Sequence, residues 1–553
     1  MDGRIDQAEV QMEDRIFGMK VRGVDISPPL NARELTPTPP LPAVRGDRFF
    51  NLELSAEQLN AMTLLDKPVQ DALSAAAQTL TAEKDAAWEQ YFLLIPPLED
   101  ALKRGFDLPF ALYPYQAEGV SFLANRRRAL LADDMGLGKT IQAIVAARFL
   151  LNSGLIRSIL AVCPAGLKSN WKAEFERWAP EASAVVVAGD AKKRGKLWSG
   201  PYHVWIVGYE TARNDLERMS ECGFDLIILD EAQRIKNAET RVAKAVKALP
   251  RRASWCLTGT PIENRVSDLC SIGQFLDPQL SIGEAAEPEE ARKIMAPYYL
   301  RRHKSAALKD LPEKHVRTAR LDLTPAQRKA YDAAESRGET RLQHMGDSVT
   351  LQHVLALITR LKQICNYDPL TEKSVKLNYL RDSLKAIAER GEKALIFSQY
   401  RKTLDFIEAR LEEFNPVPYH GGLWPSQKEA ALARFKEDSD AKAMLISLQA
   451  GGVGLNLQEA SYVFHYDRWW NPAVERQAED RAYRLGQRRD VIVTRLVAAN
   501  TIEEKIDAIL KDKEELFDRF VDEGVESEQG RLSESDYFQL VGLEQALAPA
   551  AAV

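Results

Sequence analysis

A glycine-rich turn, ADDMGLGKT, lies between an apolar run and a helix-like stretch of the sequence. Gly136 and Gly138 would let backbone amides approach phosphate oxygens, and the N-terminus of the following helix would add its dipole. Lys139 is expected to reach the β- and γ-phosphates of a nucleotide, and the hydroxyl of Thr140 is expected to ligate Mg²⁺. Asp133 takes the place of the first glycine in the general P-loop pattern. The turn therefore predicts a nucleotide site, and a purely structural turn is the alternative.

An acidic pair directly follows a second apolar run, DLIIL. Asp230 could hold Mg²⁺ and Glu231 could orient the attacking water, which are the two tasks that phosphoryl transfer requires. Thr258 and Thr260 follow another run in LTGTP, and their hydroxyls could relay the state of the nucleotide. Acidic pairs after strands are common, but a pair that accompanies a P-loop in the same sheet favours nucleotide hydrolysis.

Two arginines three residues apart, Arg481 and Arg484, lie in QAEDRAYRLGQ. On a helix they would share one face. Arginines presented to a γ-phosphate act as arginine fingers, which raise the hydrolysis rate by about 10³–10⁵. The alternative is a helix with a solvated basic face, and the accompanying motifs favour the fingers.

Strands and helices must position these groups, and the sequence alternates between the two in two separate blocks. Short β-rich runs separated by amphipathic stretches are typical of a parallel sheet covered by helices. The fold class is therefore predicted to be α/β. The predicted strands lie at 129–133, 158–163, 184–188, 204–208, 225–229, 254–258, 393–398, 443–447, 462–467 and 491–496.

The length of 553 residues is enough for three or four domains. Six prolines between Pro28 and Pro42 predict an extended linker, and residues 280–375 lack the strand pattern. The predicted regions are a Pro-rich and helical N-terminal region of unknown role (1–104), a first lobe with the nucleotide site (105–279), a helical insertion (280–375), a second lobe (376–510), and an acidic helical tail with a disordered end (511–553).

The charge of the chain excludes one class of nucleic-acid binder. Lys and Arg total 74 against 80 Asp and Glu, so the net charge is −6, which argues against a highly basic coat protein. Residues 503–536 carry 13 acidic and 5 basic side chains, so the rest of the chain has a net charge of +2. Residues 301–320 carry 7 basic and 2 acidic side chains. A local basic surface in the middle of the chain is compatible with DNA binding.

The five cysteines include no CxxC pair, which predicts a reduced intracellular protein without a disulfide framework or a zinc ribbon. No apolar run approaches the roughly 18 residues of a membrane helix, and the acidic start does not resemble a signal peptide. We expect a monomer that is cytoplasmic and nucleoid-associated, or nuclear if the source is eukaryotic.

The order of the motifs closely resembles the Swi/Snf family of ATP-dependent DNA translocases, within the DEAD/DEAH-helicase superfamily. The resemblance covers about residues 110–510, and GVGLNL, DRWWNP and RAYRLGQ are characteristic of this family. The series runs YPYQ (113–116), DDMGLGKT, VCPAGLKSNWKAEF (162–175), GYET (208–211), DEAQ, LTGTP, QICN (363–366), IFSQY (396–400), YHGG (419–422), LQAGGVGLNL (448–457), DRWWNP (467–472) and QAEDRAYRLGQ.

The resemblance implies two RecA-like lobes that close on ATP and open after hydrolysis, and this cycle ratchets them along double-stranded DNA. It implies that Gln116 binds adenine, that Asp230 holds Mg²⁺ and that Glu231 is the general base. Arg481 and Arg484 would be the arginine fingers of the second lobe. The residues implied for nucleotide binding are Gln116, Asp134, Met135, Gly136, Leu137, Gly138, Lys139, Thr140 and Gly454.

The same resemblance implies contacts to DNA phosphates and sugars, so little sequence preference is expected. For the tryptophans among these residues, packing in the core is the alternative. The implied contacts are Lys168, Asn170, Trp171, Tyr209 and Thr211 in the first lobe, and Ser398, Gln399, Gly452, Gly454, Asn456 and Trp470 in the second.

Four positions depart from the pattern of the family. Gln233 stands where the family mostly has histidine. Glutamine still donates and accepts hydrogen bonds, so we expect coupling between ATP and DNA to survive without a titratable group. Asp480 and Tyr483 replace the usual glycine and histidine, and Glu263 replaces the usual glutamine. We expect these changes to tune the reaction rather than to alter it.

The predicted function is a duplex-DNA-stimulated ATPase, of the compact kind found in bacteria and archaea, that translocates without strand separation and displaces DNA-bound proteins. A strand-separating helicase on DNA or RNA, a fork-remodelling or annealing motor, and an antiphage-defence motor are alternatives. A recruitment module that uses the nucleotide only as a switch would need a broken catalytic set, but Lys139, Glu231, Arg481 and Arg484 are all present.

Overall fold

The computed structural model describes the chain in nine stretches: 97–103, 106–259, 266–278, 280, 288–308, 311–451, 455–484, 486–511 and 534–541. The predicted Pro-rich linker, most of the predicted N-terminal helical region, and Gly452 and Gly454 lie outside the described residues. The chain divides into two compact units between Leu308 and Lys309.

The first unit is built on a sheet of seven parallel strands in the order β3-β4-β2-β5-β6-β1-β7. Its central strands are buried from end to end, as expected when helices cover both faces of a parallel sheet. The strands are β1 Arg128–Leu131, β2 Ile159–Cys163, β3 Ala184–Val186, β4 Val204–Gly208, β5 Phe224–Asp230, β6 Arg251–Leu257 and β7 Tyr299–Leu300.

Two helices of this unit begin at side chains that cap them. Asp190 accepts a hydrogen bond from the amide of Lys193 at 2.8 Å, and Thr240 accepts one from the amide of Ala243 at 3.2 Å. The helices are Leu98–Lys103, Pro114–Ala124, Lys139–Asn152, Lys168–Trp178, Ala191–Trp198, Tyr209–Asn214, Leu216–Cys222, Arg241–Ala248, Val266–Leu276, Pro288–Met295 and Lys304–Ala307, with short 3-10 turns at Ala165–Leu167, Ala232–Ile235 and Ala296–Tyr298.

The second unit is built on a sheet of six parallel strands in the order β10-β11-β9-β12-β13-β8. The strands are β8 Lys314–Leu321, β9 Ala394–Ser398, β10 Val417–Tyr419, β11 Ala443–Ser447, β12 Tyr462–His465 and β13 Val491–Ala498. The helices are Pro325–Met345, Leu351–Asn366, Val375–Glu389, Arg401–Glu408, Pro425–Glu437, Leu448–Gly451, Pro472–Glu479, a helix over 502–511 and Glu534–Leu540, with 3-10 turns at Gly346–Ser348 and Glu412–Phe414.

All ten predicted strands are present, and the described part of the chain holds three further strands that were not predicted. The prediction that residues 280–375 are helical is wrong at β7, which joins the first sheet beside β1, and at β8, which joins the second sheet beside β13. β7 has only two residues, and β8 (KHVRTARL) carries the charged side chains of an edge strand. The helices of this region are Pro288–Met295, Lys304–Ala307, Pro325–Met345 and Leu351–Asn366.

All five cysteines lie among the described residues and none of them forms a disulfide. Four are buried and Cys222 is half-buried. Burial raises the pKa values of the Cys163, Cys256 and Cys365 thiols. Within the described ranges, no helix combines the length and the apolar character that a bilayer crossing requires.

Candidate nucleotide site

The P-loop takes the conformation that its glycines predict. Gly136 and Gly138 have φ angles of 86° and 75°, in the left-handed region that glycine adopts without strain. The helix Lys139–Asn152 begins directly after them, so Thr140 is its second residue. A Cβ atom on Gly138 would lie 2.7 Å from the Gln116 side-chain nitrogen, so the loop passes very close to the preceding helix.

The Lys139 side chain binds the backbone of its own loop. Its Nζ donates to the carbonyl oxygens of Asp133 and Asp134, at 2.7 and 3.2 Å. Burial lowers the pKa of Lys139, and the carboxylates of Glu231 and Asp133 oppose that shift. A Cβ atom on Gly259 would lie 3.0 Å from this Nζ. The ammonium group thus lies among the P-loop, the acidic pair and the end of β6.

Gln116 is buried beside the P-loop. Its Nε2 donates to the Leu137 carbonyl at 3.3 Å, and its Oε1 accepts from the Tyr113 amide at 3.1 Å. Leu137 is fully buried, whereas Met135 is half-buried. Adenine binding by Gln116 stays a prediction, and its side chain is already fixed against the phosphate-binding loop.

The residue in place of the first P-loop glycine, Asp133, is fully buried and held by an arginine that sequence reasoning missed. Arg302 donates from Nε to Oδ1 at 3.0 Å and from Nη2 to Oδ2 at 2.6 Å. Gln142 joins them, since its Nε2 donates to Asp133 Oδ2 at 3.2 Å and its Oε1 accepts from Arg302 at 2.8 Å. Asp134 accepts from the backbone amide of Lys304 at 2.9 Å. The segment after β7 therefore braces the P-loop.

Replacing Arg302 with alanine is expected to lower the free energy of unfolding by about 3 kcal/mol, because it leaves the buried Asp133 carboxylate without its bidentate partner. Urea unfolding followed by tryptophan fluorescence measures the change. Glu118→Gln is the matched control: Glu118 contacts the same arginine at 3.1 Å but its side chain is 63% exposed. Glu118→Gln should lower the free energy of unfolding by less than about 1 kcal/mol. Equal effects of the two substitutions would contradict the role of Arg302 in holding Asp133.

Asp230 ends β5, and each of its oxygens has a fixed partner. Oδ1 accepts from the Glu231 amide at 3.0 Å and Oδ2 accepts from the Trp171 indole N–H at 2.8 Å. Its backbone carbonyl accepts from the Tyr209 hydroxyl at 2.7 Å. Burial, followed by the charge of Glu231, raises the pKa of Asp230 to about 7. An acidic pair with the buried Asp230 as one member fits a divalent cation, because the cation would offset the charge that burial of Asp230 disfavours.

Glu231 has a φ of 53°, one of the few left-handed non-glycine residues among those described. Its Oε2 accepts from Gln233 Nε2 at 2.7 Å, and Gln233 Oε1 in turn accepts from the Thr258 hydroxyl at 2.9 Å. A chain of two hydrogen bonds therefore joins the end of β6 to the acidic pair. Thr260 lies outside the described residues.

In the second unit, three of the motifs meet at Asp467, two residues after β12. Its Oδ2 accepts from Asn366 at 3.1 Å and from the Ser398 hydroxyl, and its Oδ1 accepts from the Gln399 amide at 3.1 Å. QICN, IFSQY and DRWWNP are thus joined at one point. The prediction that Ser398 contacts DNA is wrong for its side chain, which is fully buried and donates to Asp467.

The two arginines do not share a helix face, because the helix Pro472–Glu479 ends before them. They lie on the following turn, against the segment that follows the GVGLNL glycines. The Arg481 carbonyl accepts from the Leu457 amide at 3.0 Å, and Arg484 Nη1 donates to the Leu455 carbonyl at 3.3 Å. Their role as fingers stays a prediction.

The residues predicted to contact DNA divide into buried and accessible ones. The predictions are wrong for the side chains of Trp171 and Tyr209, which are 0% and 3% exposed and bind Asp230 instead. Trp470 packs in a hydrophobic cluster, with its ring 5.3 Å from that of Tyr537 and 4.1 Å from Lys362 Nζ. Asn170 and Asn456 are exposed, and Lys168, Thr211 and Gln399 are half-buried.

Comparison with known families covers most of the chain. The SNF2-related domain matches residues 115–282 and 283–370, and the helicase conserved C-terminal domain matches residues 375–486. The chain belongs to the SNF2 family. Its two parallel sheets flanked by helices are the tandem RecA-like lobes of this family of ATP-dependent enzymes.

Curated SNF2 relatives are similar over about three quarters of the chain. An uncharacterized ATP-dependent helicase of Mycoplasma pneumoniae is 34% identical over 78% of this chain, and a putative ATP-dependent helicase/translocase of Bacillus subtilis, YwqA, is 35% identical over 74%. The chain spans 45% and 49% of the length of these two proteins. The solved SWI2/SNF2 ATPase core of Sulfolobus solfataricus in complex with dsDNA is 32% identical, with 79% of this chain and 98% of that one covered and a TM-score of 0.38.

Three basic residues of the segment 301–320 form ion pairs within the fold. Arg302 holds Asp133, Lys314 pairs with Glu479, and Arg320 lies 3.5 Å from Glu504. The interpretation of this segment as a DNA-binding surface therefore loses three of its seven basic residues.

Proposed function

We propose that this SNF2-family chain is a DNA-stimulated ATPase that translocates on double-stranded DNA without separating its strands and displaces or remodels proteins bound there. The observation that carries the proposal is the convergence of the P-loop, the acidic pair and the Thr258–Gln233 chain at the carboxyl ends of β1, β5 and β6. This edge of a parallel sheet is where α/β proteins bind ligands. The dsDNA in the complex of the Sulfolobus solfataricus relative supports duplex DNA as the partner.

Each residue of the site has a proposed task. Lys139 would exchange the two loop carbonyls that it binds for the β- and γ-phosphates of ATP. Thr140 and Asp230 would hold Mg²⁺, which neutralises charge on the phosphates when bound. Glu231 would take the proton of the attacking water, with its carboxylate oriented by Gln233. Arg481 and Arg484 of the second unit would stabilise the charge of the transferring phosphoryl group.

The contact with DNA is proposed for the accessible residues alone. Asn170, Asn456, Lys168, Thr211 and Gln399 are exposed or half-buried polar side chains, and such groups bind phosphates and sugars. We propose that the protein acts as a monomer in the cytoplasm at the nucleoid, and that its target is a protein or complex bound to DNA.

The proposal is tested by ATP hydrolysis with and without duplex DNA, using wild type and Lys139→Ala. Wild type should hydrolyse ATP faster when duplex DNA is added, and Lys139→Ala should lose both nucleotide binding and hydrolysis. Lys172→Ala is the matched control, because Lys172 lies on a helix surface and pairs with the exposed Glu176. Hydrolysis that duplex DNA leaves unchanged would refute DNA stimulation. A Lys139→Ala protein that keeps full biological activity would favour the recruitment module.

A strand-separating helicase is the second candidate, because the relatives carry helicase in their names. Two assays with the same protein discriminate the candidates. A translocase should displace the third strand of a DNA triplex and leave a forked duplex intact. Unwinding of the forked duplex would instead support the helicase.

A further inference from the structure

The helix Lys168–Trp178 has two faces with different surroundings. Its first turn presents the half-buried Lys168 and the exposed Asn170. The next residue, Trp171, is 0% exposed, and its indole N–H donates to Asp230 Oδ2 at 2.8 Å. The ring packs 6.0 Å from the ring of Phe175. One turn of helix therefore joins polar groups at the surface to the carboxylate that ends β5.

A second element repeats this arrangement. The helix Tyr209–Asn214 begins with a buried tyrosine whose hydroxyl donates to the backbone carbonyl of Asp230 at 2.7 Å. Thr211, two residues later, is half-buried. Asp230 is thus held twice, through its carboxylate by Trp171 and through its main chain by Tyr209.

We propose that Trp171 and Tyr209 are positioning residues that fix the metal-binding end of β5 and couple it to two elements that contact DNA. The inference rests on the proposed function and names a physical route for its DNA stimulation. An indole N–H is only a donor, so it can support a carboxylate but cannot ligate the cation. Because Oδ2 accepts the indole N–H and Oδ1 accepts the Glu231 amide, each oxygen keeps one lone pair that could hold Mg²⁺.

The rigidity of the route follows from packing. The Trp171 side chain fills a close-packed interior, where small shifts pass from one side chain to the next rather than being absorbed. A DNA phosphate that pulls on Lys168 or Asn170 would therefore move the indole, and with it the Asp230 oxygen that accepts its hydrogen bond. Two measurements on matched variants quantify this coupling.

Trp171→Phe removes the N–H and keeps an aromatic ring in the core. Trp198→Phe is the matched control: Trp198 is also buried in the first unit and also donates its indole N–H to an aspartate, Asp215 Oδ2, at 2.9 Å. The first measurement is ADP affinity by calorimetry, at saturating Mg²⁺ and with Mg²⁺ chelated. Mg²⁺ should increase the ADP affinity of Trp171→Phe by a factor about ten times smaller than in wild type. The ADP affinity without Mg²⁺ should be unchanged. Trp198→Phe should change neither value.

The second measurement is the ratio of ATP hydrolysis with and without duplex DNA. Trp171→Phe should lower this ratio at least about fivefold, whereas Trp198→Phe should retain it. The double variant Trp171→Phe/Lys168→Ala should lose less of the stimulation ratio than the product of the two single losses. The reason is that the effects of substitutions along one route are not independent. Tyr209→Phe removes a single hydroxyl and carries the same test if Trp171→Phe does not fold, which thermal unfolding reveals.

The outcomes separate this inference from the proposed function. If wild type shows DNA stimulation but Trp171→Phe and Tyr209→Phe match Trp198→Phe in both measurements, the inference is overturned and the proposed function stands. An unchanged stimulation ratio overturns the coupling even if the Mg²⁺ gain falls. If wild type itself shows no DNA stimulation, the proposed function fails, and the ADP titration still decides whether Trp171 supports the metal site.

Discussion

Replacing Glu231 with glutamine is expected to lower the rate of ATP hydrolysis by about 10²–10⁴ while ATP and ADP still bind. Glutamine has the size of glutamate but does not take up the proton of the attacking water. The Gln233 amide, which donates to Glu231 Oε2 at 2.7 Å, finds an oxygen acceptor in the new side chain as well. The arrangement around the residue is therefore kept, and the loss falls on the chemical step.

Single-turnover hydrolysis with saturating duplex DNA, together with ADP titration, measures the two effects separately. Glu217→Gln is the control, because Glu217 is an exposed glutamate of the same unit. Hydrolysis by Glu231→Gln within tenfold of wild type would remove this residue from the role of general base. Loss of ADP binding would show instead that the change disturbs the P-loop, which lies close enough for Glu231 to influence the pKa of Lys139.

Replacing either Arg481 or Arg484 with alanine is expected to lower hydrolysis by about 10³–10⁵, the range of arginine fingers. ADP affinity should change little, because a finger acts on the γ-phosphate that ADP lacks. Lysine at either position should restore only part of the activity, since it keeps the charge but loses the planar fork of donors.

Arg488→Ala is the control for these variants, because Arg488 is an exposed arginine of the same segment. Hydrolysis with saturating ATP and duplex DNA measures the effect. The carbonyls of Leu455 and Arg481 already anchor this turn, so thermal unfolding of each variant is followed as well. Full ATP hydrolysis by both Arg481→Ala and Arg484→Ala would show that neither arginine acts as a finger.

The sequence predicted the fold where a signal is local. Apolar runs gave all ten strands that were predicted, because a strand covered on both faces is apolar throughout. The strands that were not predicted carry weaker signals: β7 has two residues, β10 contains Pro418, and β8 is rich in charge. Such edge strands form through tertiary pairing rather than through their own composition.

The parts of the candidate site that lie within single motifs were predicted from the sequence. The P-loop and the acidic pair follow from residue types and spacing, but the Arg302–Asp133 brace joins residues 169 positions apart. No local pattern indicates such a pair. The basic segment 301–320 was therefore interpreted as a basic surface. The same holds for Trp171, whose indole could face solvent or core, and only the packing of β5 decides between them.

The distribution of the thiols allows dyes to be attached at chosen positions. Cys222 is the half-buried cysteine, while the other four are buried, so a maleimide dye should attach at this position without removal of any natural residue. Leu370→Cys, at a site 88% exposed in the second unit, would supply the second attachment point. Energy transfer between the two dyes would report whether the distance between these two positions changes when ATP is added.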